Sequence, residues 1–262
     1  MTLERLDHVR LERREPGVGI LTIDNSPVNA LGRALVSDLE AACDALERAG
    51  DLRALVMAAA GRTFCAGADL KERQAMADEE VEIWVSRVSG LFSRIARLPM
   101  PTVACIQGVA AGGGLELALA CDLRVAEEGA SLGLKEVGLG IIPGAGGTQR
   151  LPRLIGVARA KLWIFTARIF SAAEALADGV VDRVAPAGKG LETAIALAAE
   201  IAANAPLALR AAKRAIDEGA GLPIEEGLDA ERRAYGTIVP TQDRREALRA
   251  FMEKRKPRFQ GR

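Results

Sequence analysis

Strand-like runs alternate with amphipathic helical stripes along the first two-thirds of this chain, and no other feature limits its possible folds so tightly. Residues 18–24 (VGILTID) are rich in β-branched side chains and precede the turn residues Asn25, Ser26 and Pro27. Residues 8–14 form a second strand-like run across Pro16 and Gly17, which predicts an opening hairpin. From Leu35 the apolar residues fall at Leu35, Leu39, Ala42 and Leu46, the spacing of a helix with one buried face that ends near Gly50. Residues 53–58 then read as a buried strand. The helical spacing returns at Val81, Val85, Val88, Phe92 and Ile95; Pro99 and Pro101 end that helix before the strand 102–107. A glycine-rich turn, a short apolar helix (LELALA), a strand at 122–126 and two helical segments after Gly146 continue the series. Such alternation predicts α/β architecture. Beyond about Gly190 the sequence is alanine-rich and helical to its end, so residues 1–190 are expected to form the core and 191–262 a helical region. Its apolar faces need either that core or a neighbouring subunit.

Thirty-five basic residues balance thirty-five acidic ones, so no global field recruits nucleic acid or an anionic membrane. Residues 1–14 are studded with charge and have no apolar signal core, and no later stretch is long and apolar enough to span a bilayer. A soluble, cytoplasmic protein is the expectation. Cys43, Cys65, Cys105 and Cys121 lie too far apart for a zinc-site spacing and are expected as buried free thiols; no metal site is expected. The single histidine, His8, lies in the first strand-like run, where a structural role is expected, and this weighs against histidine-based catalysis.

Three segments combine glycine with residues that carry chemistry. Residues 63–73 (TFCAGADLKER) closely follow a buried strand, placing an Ala-Gly-Ala turn where loops commonly build sites. Residues 109–122 (VAAGGGLELALACD) put three glycines before a helix whose first N–H groups are unpaired, which suits an oxyanion. Phosphate is the other candidate, but a phosphate loop needs lysine and a hydroxyl residue where Leu115 and Glu116 stand. The dinucleotide fingerprint fails as well, here and at Gly144–Gly147. Glu116 sits among Leu115, Leu117, Ala118 and Leu119; buried there, its carboxyl would be desolvated and its pKa raised toward that of a general acid or base. The plainer alternative is a first-turn glutamate that stabilises its own helix. Residues 132–150 (LGLKEVGLGIIPGAGGTQR) carry Glu136 in a stretch too irregular for a regular helix. Alone it reads as an exposed loop acid; paired with Glu116 it supplies the two carboxylates that hydration needs, one to activate water and one to deliver a proton.

These segments resemble the enoyl-CoA hydratases of the crotonase superfamily. The likeness runs from about Val18 to the end and includes residues 27–31 (PVNAL), GADLK, GGGLELA, IIPGAGGTQR and FMEKRK. The resemblance implies a spiral of repeated strand-strand-helix units with C-terminal helices that assemble trimers or hexamers, acting on acyl-CoA without a separate cofactor. Matched residue by residue, the N–H groups of Ala68 and Gly113 would form an oxyanion hole. Glu116 would act chiefly as base toward water and Glu136 as the acid that protonates the α-carbon. Ala68, Asp69, Leu70 and Lys71 would line the CoA site, and Phe251 and Lys254 would reach the nucleotide from a neighbouring subunit. The last nineteen residues hold eight basic and two acidic side chains, which phosphate contact would explain.

Within the family, FCAGADLKER and GGGLELALACDLRVA most resemble methylglutaconyl-CoA hydratases of leucine breakdown, whose substrate has a distal carboxylate that Lys71 or Arg73 could pair. The nearest alternative is an enoyl-CoA isomerase or another non-hydratase relative. RNA binding, which some methylglutaconyl-CoA hydratases show through a basic helix, is not expected: residues 32–53 hold three basic side chains against five acidic. A purely structural oligomer would assemble through the same C-terminal helices without acyl-CoA affinity.

Overall fold

A computed structural model describes residues 6–262. The opening hairpin is present: β1 (Val9–Arg14) and β2 (Val18–Ile23) pair antiparallel, with Val9 opposite Ile23. His8 lies just outside β1, where its N–H donates to Asp38 Oδ2 at 2.8 Å and its Nδ1 lies 3.1 Å from the same oxygen. The histidine latches the hairpin to α1 (Arg33–Glu47), which buries Leu35, Leu39, Ala42 and Leu46 as its spacing predicts. Next come β3 (Ala54–Ala59), the short α2 (Leu70–Gln74) and the long α3 (Asp78–Ala96). Three acids, Asp78, Glu79 and Glu80, occupy the positive end of α3 and stabilise it. Its buried stripe is Trp84, Val88, Leu91, Phe92 and Ile95. Val81 and Val85, expected in that stripe, are only half-buried, because they face a cavity and not the core.

The chain then winds through β4 (Thr102–Ile106), β5 (Val109–Ala111) and α4 (Gly113–Leu119). Another turn follows: β6 (Leu123–Glu127), β7 (Ser131–Gly133), a 3-10 turn at Glu136–Leu139, α5 (Gly147–Ile155) and α6 (Val157–Phe165). Then β8 (Phe170–Ser171), α7 (Ala172–Ala177) and β9 (Arg183–Ala185) complete the strands. The large sheet has the order β1-β2-β3-β4-β6-β9, parallel throughout after the hairpin, and β5, β7 and β8 make a smaller sheet. Successive turns of chain therefore add a strand to the large sheet and then, after a bend, a strand or bridge to the other side; Cys65 bridges Ala110 and Leu31 bridges Ala68. This is the spiral of strand-strand-helix units that the resemblance implies.

Each face of the large sheet has its own core. Leu21, Ile23, Leu55 and Met57 pack with the helices α1, α3 and α4, while Val18, Ile20, Val56, Val103 and Val125 point the other way. That second face is covered by α8 (Gly190–Ala202) through Ala194, Leu197, Ala198 and Ala202. Thus α8, inside the stretch read as a helical region separate from the core, is integral to that core, since without it a row of β-branched side chains would face water. Beyond it lie α9 (Pro206–Gly219), α10 (Ile224–Ile238) and α11 (Gln242–Met252). The terminal residues fold back: Asp243 accepts from the N–H groups of Gln260 and Gly261, and Arg53 donates to the Phe259 carbonyl. All four cysteines are buried and unpaired, as expected, with burial pushing their thiols up to about 12. Among the described residues, no single helix is long and apolar enough to cross a membrane.

Candidate active site

A cavity of about 510 Å³ opens where α3, α4, the 3-10 turn and the 63–68 loop converge. Its floor depends on a close backbone approach. A Cβ on Gly114 would lie 2.0 Å from the Cys65 carbonyl oxygen, so only glycine lets the start of α4 press against that loop. The loop is held on both sides. Leu31 donates to the Gly67 carbonyl at 2.8 Å, and Cys65 donates to Val109 while accepting from Ala111. Parallel pairing of Leu31 with the 67–69 segment uses the N–H of Asp69 and leaves that of Ala68 turned away. The Ala68 N–H finds no acceptor among the described residues, and neither does that of Gly113, the first residue of α4. The two lie together: a Cβ on Gly113 would be 3.9 Å from Ala68 N, and both residues line the cavity. The fold therefore brings together the two residues named from the sequence, Ala68 and Gly113.

Glu116 is 3% exposed on the cavity wall. It does not cap its own helix. Its Oε1 accepts from the N–H groups of Ala145 (2.8 Å) and Gly147 (2.7 Å), leaving Oε2 without a protein partner among the described residues. Burial pushes its carboxyl up, opposed by those two N–H groups and by Arg150. Gly147 makes this clamp possible, since a Cβ there would crowd Pro143 at 2.8 Å and Glu116 Oε1 at 3.1 Å.

Glu136 is no exposed loop acid. It is 9% exposed at the start of the 3-10 turn, and its Oε2 is buried without a partner among the described residues. Burial pushes its carboxyl up to about 7; its own backbone N–H opposes the shift, and the neighbouring Glu116 charge adds to it. Gly112, with φ of +53°, leaves room for it, because a Cβ there would stand 2.8 Å from Glu136 Oε1. Two carboxylates with raised pKa thus share one cavity with two free N–H donors.

Apart from Arg73, the other residues inferred from the sequence fall outside the cavity. Asp69 caps α2, its Oδ1 accepting from the N–H groups of Lys71 and Glu72. Leu70 and Lys71 are exposed on the same turn, whereas Arg73 is on the cavity wall. Phe251, 81% exposed, and Lys254 are not brought to the cavity by their own chain. The apolar walls went unread: Leu31, Trp84, Ile141 and Ile142, with Val81 and Val85 from the side of α3. A stripe on α3 too wide for one buried face, with Trp84 beside Val81, Val85 and Val88, is the signal that could have shown them. Among the described residues no cluster of side chains is arranged to hold a metal ion.

Comparison with known proteins gives the geometry its context. The enoyl-CoA hydratase/isomerase family model matches residues 13–262. A mouse protein named enoyl-CoA hydratase domain-containing protein 2, mitochondrial, is 50% identical over 89% of this chain and 80% of its own length. Human mitochondrial methylglutaconyl-CoA hydratase is 44% identical over 98% of this chain and 77% of its own. The crystal structure of an enoyl-CoA hydratase from Bacillus anthracis superposes with a TM-score of 0.95 at 44% identity, covering 98% of this chain and all of the other. The chain belongs to the enoyl-CoA hydratase/isomerase family, within the crotonase superfamily.

Proposed function

We propose that this enzyme adds water across the double bond of an α,β-unsaturated acyl-CoA, a reading carried by one observation: two buried glutamates and two free backbone N–H groups open onto a single apolar cavity. The thioester oxygen sits between the N–H groups of Ala68 and Gly113, which take up negative charge as the enolate forms. Glu116, fixed through Oε1, accepts a proton from water through Oε2 as the water oxygen bonds to the β-carbon. Glu136, held protonated by its burial, delivers a proton to the α-carbon. The carboxylates and N–H groups handle every charge in this scheme, so it calls for no metal or redox cofactor. Asp69, Leu70 and Lys71 border the CoA moiety, with Phe251 and Lys254 contributed by a neighbouring subunit. Crotonyl-CoA tests the reaction class: a hydratase removes its enoyl absorbance with uptake of water, and an unchanged absorbance at high enzyme concentration would favour an isomerase or other non-hydratase chemistry.

The substrate reading rests on Arg73. Among the described residues it is the one cation on the cavity wall. A distal carboxylate on a branched acyl chain, as in 3-methylglutaconyl-CoA, would complete it, while a plain enoyl chain leaves it unused. Replacing Arg73 with Met is expected to lower kcat/KM for 3-methylglutaconyl-CoA by about tenfold or more and to change crotonyl-CoA turnover by about threefold at most. A wild-type enzyme strongly preferring crotonyl-CoA would sink this assignment. RNA binding is not part of the proposal: the acids of α1 face Arg87 and Arg94 in ion pairs, through Glu40, Asp44 and Glu47, and present no basic surface.

A further inference from the structure

The clamp on Glu116 has its own support. Arg150, half-buried on α5, donates through Nη1 to the Ala145 carbonyl at 2.8 Å, the same residue whose N–H donates to Glu116. Its Nη2 reaches Ser93 Oγ on α3 at 3.4 Å, so one side chain ties the 144–147 turn to the long helix. Gly146 makes room for it: φ there is +113°, and a Cβ would lie 2.0 Å from Arg150 Nη1. We infer that Arg150 is a positioning residue for the hydration, fixing the turn that aims two N–H groups at Glu116 and placing a positive charge behind that carboxylate.

Charged groups reach the pair from several elements, and on its other side Arg150 borders a second cavity with Asp122, Arg124, Arg153, Lys213 and Asp217. Glu116 feels Arg150 from α5 and lies near Glu136 from the 3-10 turn. Arg150 in turn lies near Glu116, Arg97 beyond α3 and the Cys121 thiol beyond α4. Burial and Arg97 push the guanidinium pKa down, while Glu116 pushes it back up. The cost of a half-buried cation next to another arginine is offset where it can do most, beside a carboxylate that must ionise against its own burial. Removing the charge leaves Glu116 with burial unopposed except by two N–H groups that have lost their anchor.

The inference rests on Glu116 acting as the base of the proposed hydration, and the test separates the two. Arg150→Met, Arg150→Lys and Glu116→Gln are compared with wild type in crotonyl-CoA hydration across pH, with folding checked by circular dichroism. For Arg150→Met, kcat at neutral pH is expected to fall about tenfold or more with KM within about twofold, and the acid limb of the kcat profile to move to higher pH. Arg150→Lys restores the charge and returns the limb toward its wild-type position. A folded Arg150→Met enzyme whose acid limb stays in place overturns the role of Arg150, provided Glu116→Gln is inactive. If Glu116→Gln is nearly normal, the hydration reading itself fails. Should Arg150→Met not fold, Arg150→Gln, which can still donate to Ala145 without the charge, is read by the same limb.

Discussion

Glu136 shows how position changes the chemistry of an ordinary-looking residue. In sequence it stands in a loop of glycines; in the fold it is buried, with one oxygen unpartnered among the described residues and its carboxyl pushed up to about 7. A carboxyl that binds its proton more tightly when folded stabilises the protein below its unfolded pKa and loses that contribution as pH rises through about 7. Glu136→Gln should therefore raise Tm relative to wild type at pH 8, by about 1–2 kcal/mol of stability, and the gain should shrink toward pH 4.5. Equal melting temperatures at both pH values would show that the group ionises freely. In the proposed mechanism the same protonation is expected to make the hydration rate fall as pH rises through about 7, because the acid is lost; a rate still climbing there would contradict the assignment. The residue types were legible from the sequence, since the glycine triplet and the acid in the LELALA helix excluded phosphate. The partners of Glu116 were not, because Ala145 and Gly147 act through backbone N–H groups that leave no side-chain signature.

At the scale of elements, glycines decide how closely α4 approaches its surroundings. Gly112→Ala would impose φ of +53° on a residue with a side chain and drive its Cβ into the Glu136 carboxylate, at a cost of about 1–2 kcal/mol in backbone strain alone. The variant is expected to keep its far-ultraviolet circular dichroism and lose hydratase activity by about a hundredfold. Wild-type turnover would show that the carboxylate has room to spare. Long elements were legible: α1, β2, β3 and β4 follow their apolar spacing closely. Strands of two or three residues such as β8 and β9 were not, because so short a run shows no alternation, and what fixes them is pairing with β7 and β6. The stripe of α3 was misread at Val81 and Val85 because a cavity wall and a core face are both apolar.

For the whole molecule, the outer helices leave apolar side chains in water: Ile216, Ile224, Tyr235 and Phe251 are each more than half exposed. Assembly as a trimer or hexamer would cover such surface, and it would also bring the Phe251 and Lys254 end of one chain to the CoA site of another. Light scattering is expected to give three or six subunits; Lys254→Ala is then expected to raise KM for acyl-CoA severalfold without dissociating the assembly, and a monomer with wild-type KM would remove both ideas. The spiral was legible only through resemblance, since alternation alone predicts α/β architecture without saying how the strands are ordered. The covering of the second sheet face by α8 was not, because an alanine-rich helix reads alike whether it packs on a core or on another subunit. If the two glutamates together hydrate an enoyl thioester, the loss of crotonyl-CoA absorbance depends on both, and Glu116→Gln and Glu136→Gln, each folded, are compared with wild type. Wild type should consume the enoyl group and each variant should be slower by about a hundredfold or more; near-normal turnover by either variant would contradict the account.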